Sequence, residues 1–247
     1  MQVAVTGAGP DLVLLHGWGM RASVWVDLAA LLTANLRVHS VELSAASGPS
    51  ALDAMVDAIA AAGAPRVIVC GWSMGGELAL HWAATHAAQV ARLILIATTP
   101  CFVRSPDWEH GMERAVFDGF AHDLAQDAHG TLQRFALLQA RGDTSARKIV
   151  RRLQACTAGT ATSEQAALVA GLELLRTTDL RSTLPAIAQP ALIVHGERDA
   201  VVPLRAGEYL QRNLPHAELA VIEGAAHAPF LAQPGAVAQR IADFCHG

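Results

Sequence analysis

Short strand-like runs recur at 12–15, 37–42, 66–70, 92–97, 191–195 and 219–222, most of them too continuously apolar to belong to a half-exposed sheet. Stretches with a helix-like pattern lie between and after them, at 24–34, 51–62, 74–86 and 235–245. This alternation predicts an α/β fold, a mostly parallel sheet flanked by helices on both faces. From about 103 to 180 the pattern changes: strand signals stop and amphipathic helical stretches follow one another. That segment is expected to be a helical cap inserted over the rim formed by the strand ends. The core would then comprise 1–102 and 181–247, with cap and core forming one domain.

Chemistry enters at the third run. Gly71-Trp72-Ser73-Met74-Gly75 fits G-x-S-x-G and stands between a strand-like run and a helix-like one. That context is what the nucleophile elbow of an α/β-hydrolase fold requires, so Ser73 is the candidate nucleophile. A serine hydroxyl needs a histidine to take its proton and a carboxylate to orient that histidine, in the chain order serine, acid, histidine. Asp199 follows the run 191–195 through Gly196-Glu197-Arg198, and His227 follows the run 219–222. Both fall at carboxyl ends of strands, the edge where ligands bind in open α/β sheets. Glu197 is the rival acid, while Asp179 precedes any strand that could present it. Two backbone N–H groups are also needed for the oxyanion. Met74, after the serine, and Trp18, in the loop His16-Gly17-Trp18-Gly19, are expected to supply them. His16 is read as a brace of that loop.

At 247 residues and 52% hydrophobic content the chain can bury a large core. No apolar run approaches the roughly 20 residues of a membrane helix, and the first residues do not read as a signal peptide. Four scattered cysteines without a C-x-x-C pair suggest a reduced, cytoplasmic protein with no metal site. The net charge is −4, yet 129–154 holds six basic residues against one acid, Asp143. Arg147, Lys148, Arg151 and Arg152 would share one helix face. Such a face reads either as solvated surface paired with the six acids of 107–127, or as a docking surface for an acidic macromolecule. Nucleic acid fits poorly, because aromatic residues are not interleaved with the basic ones.

Motifs along most of the chain carry a resemblance. They include Leu-Val-Leu-Leu-His-Gly-Trp-Gly at 12–19, Gly-Trp-Ser-Met-Gly-Gly at 71–76, Thr-Pro-Cys-Phe at 99–102 and Arg-Phe-Ala-Leu-Leu-Gln at 134–139. Gly-Leu-Glu-Leu-Leu at 171–175, Thr-Asp-Leu-Arg at 178–181 and Ala-Ala-His-Ala-Pro-Phe at 225–230 continue it. The chain resembles the BioH family of biotin-pathway esterases, the pimeloyl-[acyl-carrier protein] methyl ester esterases. The resemblance implies hydrolysis of the methyl ester on pimeloyl-acyl carrier protein by a soluble monomer without a cofactor. It implies substrate contacts at Trp18, Ser73, Met74, Phe135, Ala136, Leu137, Leu138, Gln139 and His227. It also has Arg134, Arg147 and Arg151 facing the acidic carrier protein, which favours the docking reading of the basic face. Two departures stand out: Glu42-Leu43-Ser44-Ala45-Ala46-Ser47-Gly48 replaces the family's D-L-P-G-x-G-x-S loop, and Gly130 stands where a further arginine is expected. A broad short-chain carboxylesterase, a C–C bond hydrolase and a ligand receptor on a hydrolase scaffold are the other readings.

Overall fold

The computed structural model describes residues 2–43, 48, 50–62, 66–157, 159 and 162–246. The altered loop around 44–47 therefore lies outside the described residues. The elements in chain order are β1 Gln2–Thr6, β2 Asp11–Leu15, α1 Val26–Leu32, β3 Arg37–Glu42, α2 Ala51–Ala62, β4 Val67–Trp72, α3 Met74–Thr85 and β5 Val90–Ile96. Four helices follow: α4 Arg114–Gln126, α5 Ala128–Gln139, α6 Ala146–Ala155 and α7 Thr162–Thr177. The chain closes with β6 Ala191–Gly196, α8 Leu204–Asn213, β7 Ala217–Ile222, α9 Pro229–Ala232 and α10 Pro234–His246.

The seven strands form one sheet in the order β1-β3-β2-β4-β5-β6-β7. Every pairing is parallel except β1 with β3. Side chains alternate across it: Val13, Leu15, Val69, Leu93, Leu95 and Ile193 pack to one side, with α2, α3 and α8. Leu12, Leu14, Ile68, Cys70, Ile94, Ile96, Leu192 and Val194 pack to the other, with α1 and α10. Burial on both faces explains why the central strands read as continuous apolar runs.

Two elements lacked a strong sequence signal. Strand β1 is exposed along its whole length and pairs as an antiparallel edge. Helix α8, LRAGEYLQRN, buries only Ala206, Gly207 and Leu210, so its polar face dominates its composition. Between β5 and β6 the described residues form helices linked by isolated bridges, with no ladder strand of the main sheet. Those helices bear on the sheet's carboxyl end, where Trp18 packs edge-on against Phe120 of α4 and Phe135 of α5, each at 5.4 Å between ring centroids.

Candidate active site

Ser73 joins β4 to α3 with φ 54° and ψ −120°, a conformation that L-residues rarely adopt. The flanking glycines permit it. A Cβ on Gly71 would lie 2.1 Å from the Gly75 carbonyl oxygen, and one on Gly75 would lie 2.2 Å from that of Leu15. Helix α3 thus starts hard against the end of β2, with Ser73 largely buried beside Gly17.

Asp199 and His227 meet at this rim from 28 residues apart, with the imidazole Nδ1 donating to Asp199 Oδ2 at 2.8 Å. The other carboxylate oxygen accepts the N–H groups of Val201 at 2.8 Å and Val202 at 2.9 Å. The charge is therefore held by three donors in a buried setting, where charge-assisted bonds are strong. His227 Nε2 is buried and bonded to nothing among the described residues, leaving it free to accept a proton. Glu197 does not compete: its carboxylate accepts the Gly224 N–H at 2.9 Å and braces the turn before the histidine. Asp179 is pinned by Arg181, whose hydrogen bonds hold its carboxyl below the ordinary range.

The histidine's backbone is fixed as firmly as its ring. Trp72 Nε1 donates to the His227 carbonyl at 2.8 Å, and the His227 N–H donates to the Gln139 carbonyl at 3.1 Å. Trp72 itself is packed edge-on against Phe230, with Trp25 beyond. Beneath the acid, His195 donates from Nε2 to the Val202 carbonyl at 2.9 Å, and burial pushes its pKa down.

On the opposite side lies the loop after β2. The N–H groups of Trp18 and Met74 have no acceptor among the described residues, so both are available to a ligand oxygen. His16 braces this loop: its Nδ1 donates to the Gly17 carbonyl at 2.9 Å and its Nε2 accepts the Leu43 N–H at 3.1 Å. Burial lowers its pKa, which fits a neutral ring with one donor and one acceptor. The Trp18 indole donates to the Leu168 carbonyl of α7 at 2.8 Å, and Gly171 lies against it so closely that a Cβ there would sit 2.7 Å from the ring. A cavity of about 120 Å³ opens here between Gly17, Trp18, Met55, Met74, Leu168 and Gly171. Arg21 and Glu164, which form an ion pair, also line it.

The segment 135–139 divides, because successive helical residues point about 100° apart. Phe135 meets Trp18, whereas Ala136 packs into the cluster on the other face of the sheet. Leu137 is 57% exposed. It lines an outer groove together with Leu138, Arg141, Arg147, Val150 and Arg151. Gln139 is buried and reaches the histidine through its carbonyl. The arginines divide as well. Arg134 pairs with Asp123 at 3.4 Å and Asp127 at 4.0 Å, while Arg147 and Arg151 have no carboxylate partner among the described residues. Sequence reasoning had no signal for Phe120, which completes the aromatic triangle with Trp18 and Phe135.

The alpha/beta hydrolase family profile matches residues 12–240. The pimeloyl-[acyl-carrier protein] methyl ester esterase of Aromatoleum aromaticum is 44% identical over 96% of this chain and 99% of its own. The protein of the same name from Nitrosomonas europaea is 39% identical over 95% of each. Among solved structures, an esterase from Exiguobacterium antarcticum superposes with a TM-score of 0.85 at 24% identity, covering 99% of this chain and 95% of that one. The enol-lactonase from Burkholderia xenovorans LB400 reaches 0.85 at 20% identity, over 100% and 96%. Those two likenesses bear on the fold, while the curated relatives narrow it further. The chain belongs to the alpha/beta hydrolase family, in the branch of the pimeloyl-[acyl-carrier protein] methyl ester esterases.

Proposed function

We propose that the chain is a serine esterase that hydrolyses the methyl ester of pimeloyl-acyl carrier protein, releasing methanol and the free distal carboxylate. The observation that carries the reading is the buried His227–Asp199 bond with a free Nε2, at the same strand-end rim as a serine on a strained elbow. His227 takes the proton of Ser73 as its oxygen attacks the ester carbonyl. Asp199 stabilises the imidazolium, and the N–H groups of Trp18 and Met74 receive the oxyanion. The proton passes to the departing methoxide, and water then repeats the sequence on the acyl-enzyme. The names of the curated relatives supply the substrate.

In this reading segment 103–180 acts as the cap of a single domain, and Trp18, Met74, Leu168 and Phe135 flank the acyl chain. Leu137 and Leu138 instead belong with Arg147 and Arg151 on the outer groove that would receive the carrier. The protein works as a monomer in the cytoplasm, consistent with four free cysteines. Among the described residues no helix is long and apolar enough to cross a membrane. Ser73→Ala is expected to abolish hydrolysis of both the carrier-linked substrate and a short p-nitrophenyl ester while circular dichroism stays unchanged. Surviving turnover of either ester would overturn the nucleophile assignment. Wild-type activity confined to short esters would instead favour a general carboxylesterase.

A further inference from the structure

The turn between α5 and α6 is fastened to the loop that carries His227. The Asp143 carboxylate is buried there and accepts two backbone N–H groups, one with each oxygen. Oδ1 takes Ser145 at 2.6 Å, two residues along the chain, and Oδ2 takes Ala226 at 2.8 Å, the residue before the histidine. Three further bonds join the same two segments or their neighbours. Thr144 N–H donates to the Gly224 carbonyl at 3.2 Å, His227 N–H to the Gln139 carbonyl at 3.1 Å, and Arg198 Nη1 to the Gly142 carbonyl at 3.3 Å. Arg198 and Asp143 both supply charged side chains to these links, but only the Asp143 carboxylate bonds a backbone group adjacent to the imidazole-bearing residue. A carboxylate suits the place because both of its partners are donors; an amide could satisfy only one.

We propose that Asp143 is a positioning residue for the reaction: through the Ala226 N–H it sets the backbone from which His227 reaches Asp199 and Ser73. This rests on the Ser73–His227–Asp199 reading of the site. Nothing in the chemistry needs Asp143 to touch substrate, and its distance in sequence from His227 gives it no motif. Its effect is geometric. The imidazole must keep one nitrogen on Asp199 and the other aimed at the serine, and small displacements of such a group are costly to rate. The same turn contributes Ala140, Arg141 and Gly142 to the basic outer groove, so that groove and the histidine share one stretch of backbone.

The test uses Asp143→Ser and Asp143→Asn with p-nitrophenyl butyrate, a substrate that does not depend on carrier docking. Serine can still accept the Ser145 N–H across the local turn but is too short for Ala226. Asparagine keeps the shape of the side chain but turns an NH₂ toward one of the two donors. In both variants, kcat per fluorophosphonate-titrated serine should fall about ten-fold or more, with KM within about two-fold of wild type. The low-field proton resonance of the His227–Asp199 bond should shift or broaden. Titration removes any unfolded fraction from the rate, so a purely structural role would leave kcat per site and the resonance unchanged. Wild-type values of both in Asp143→Asn would overturn the proposal, and that isosteric variant carries the test alone if Asp143→Ser does not fold. Full turnover in Ser73→Ala would instead sink the triad reading on which the proposal rests.

Discussion

Asp199 and Glu77 are both buried carboxylates close to the elbow, and the fold treats them oppositely. Asp199 accepts three donors, whereas neither oxygen of Glu77 is bonded to anything among the described residues. Burial alone drives the Glu77 pKa well above its ordinary value of 4.5. The sign follows: between 4.5 and the raised native value the folded state holds a proton that the unfolded chain releases, so stability falls as pH rises. Glu77→Gln removes that penalty. It is expected to raise the melting temperature by several degrees at pH 8, on the order of 2 kcal/mol, and to change it little at pH 4. Thermal unfolding at both values checks this; a loss of stability at pH 8 would mean that the charged form has a partner. Thiols follow the same rule. Burial pushes Cys101 and Cys245 up to about 11, so both should react slowly with iodoacetamide at neutral pH.

At the scale of elements, the hairpin of α5 and α6 faces two ways. Its inner side presents Phe135 to Trp18, and its outer side presents Leu137 and Val150 between Arg147 and Arg151 in a groove of about 850 Å³. An apolar floor rimmed by cations with no carboxylate partner among the described residues complements an acidic amphipathic helix. Arg147→Ala with Arg151→Ala should raise KM for the carrier-linked ester about ten-fold or more at low salt, leave a p-nitrophenyl ester untouched and reduce the salt dependence. Steady-state kinetics at two ionic strengths decide it, and an unchanged KM would remove the groove from docking. Arg134→Ala should cost less, since that guanidinium is already engaged by Asp123 and Asp127. Helical periodicity groups Arg147 with Arg151, and both line the groove, but Lys148 and Arg152, expected on the same face, line a different pocket beside Asp27, which Arg152 pairs with at 3.4 Å. The division of 135–139 between inside and outside was not legible in the sequence, because a shared motif says nothing about which way each side chain turns.

Taken as a whole, the molecule showed its sheet in its sequence wherever strands are buried on both faces, and the candidates Ser73, Asp199 and His227 stood out where a strand end coincides with a motif. Strand β1, exposed throughout, and helix α8, mostly polar, lack the apolar pattern on which such reading depends. Asp143 is another case: in sequence it only offsets one basic neighbour, and its partner Ala226 is 83 residues away. The buried histidines contribute to the pH dependence of stability in a definite direction, opposite to that of Glu77. His16 and His195 are buried with lowered pKa values, so below about 6.5 the unfolded chain takes up protons that the native state refuses, and stability falls as pH drops. Urea unfolding of Glu77→Gln at pH 7.5 and 5.5, where the opposing titration of Glu77 is absent, measures it, and equal midpoints would contradict the neutral braced rings.

The bond from the Trp18 indole to the Leu168 carbonyl has a consequence for traffic. It ties the inserted helices to the Trp18 loop, while Asp143 and Gln139 tie them to the loop that carries His227. Inserted helices held at both sides cannot swing clear without dragging on the groups proposed to perform the chemistry. On the proposed function, an ester that reaches Ser73 past Trp18 and Leu168 would be selected by the slenderness of its leading end more than by its overall length.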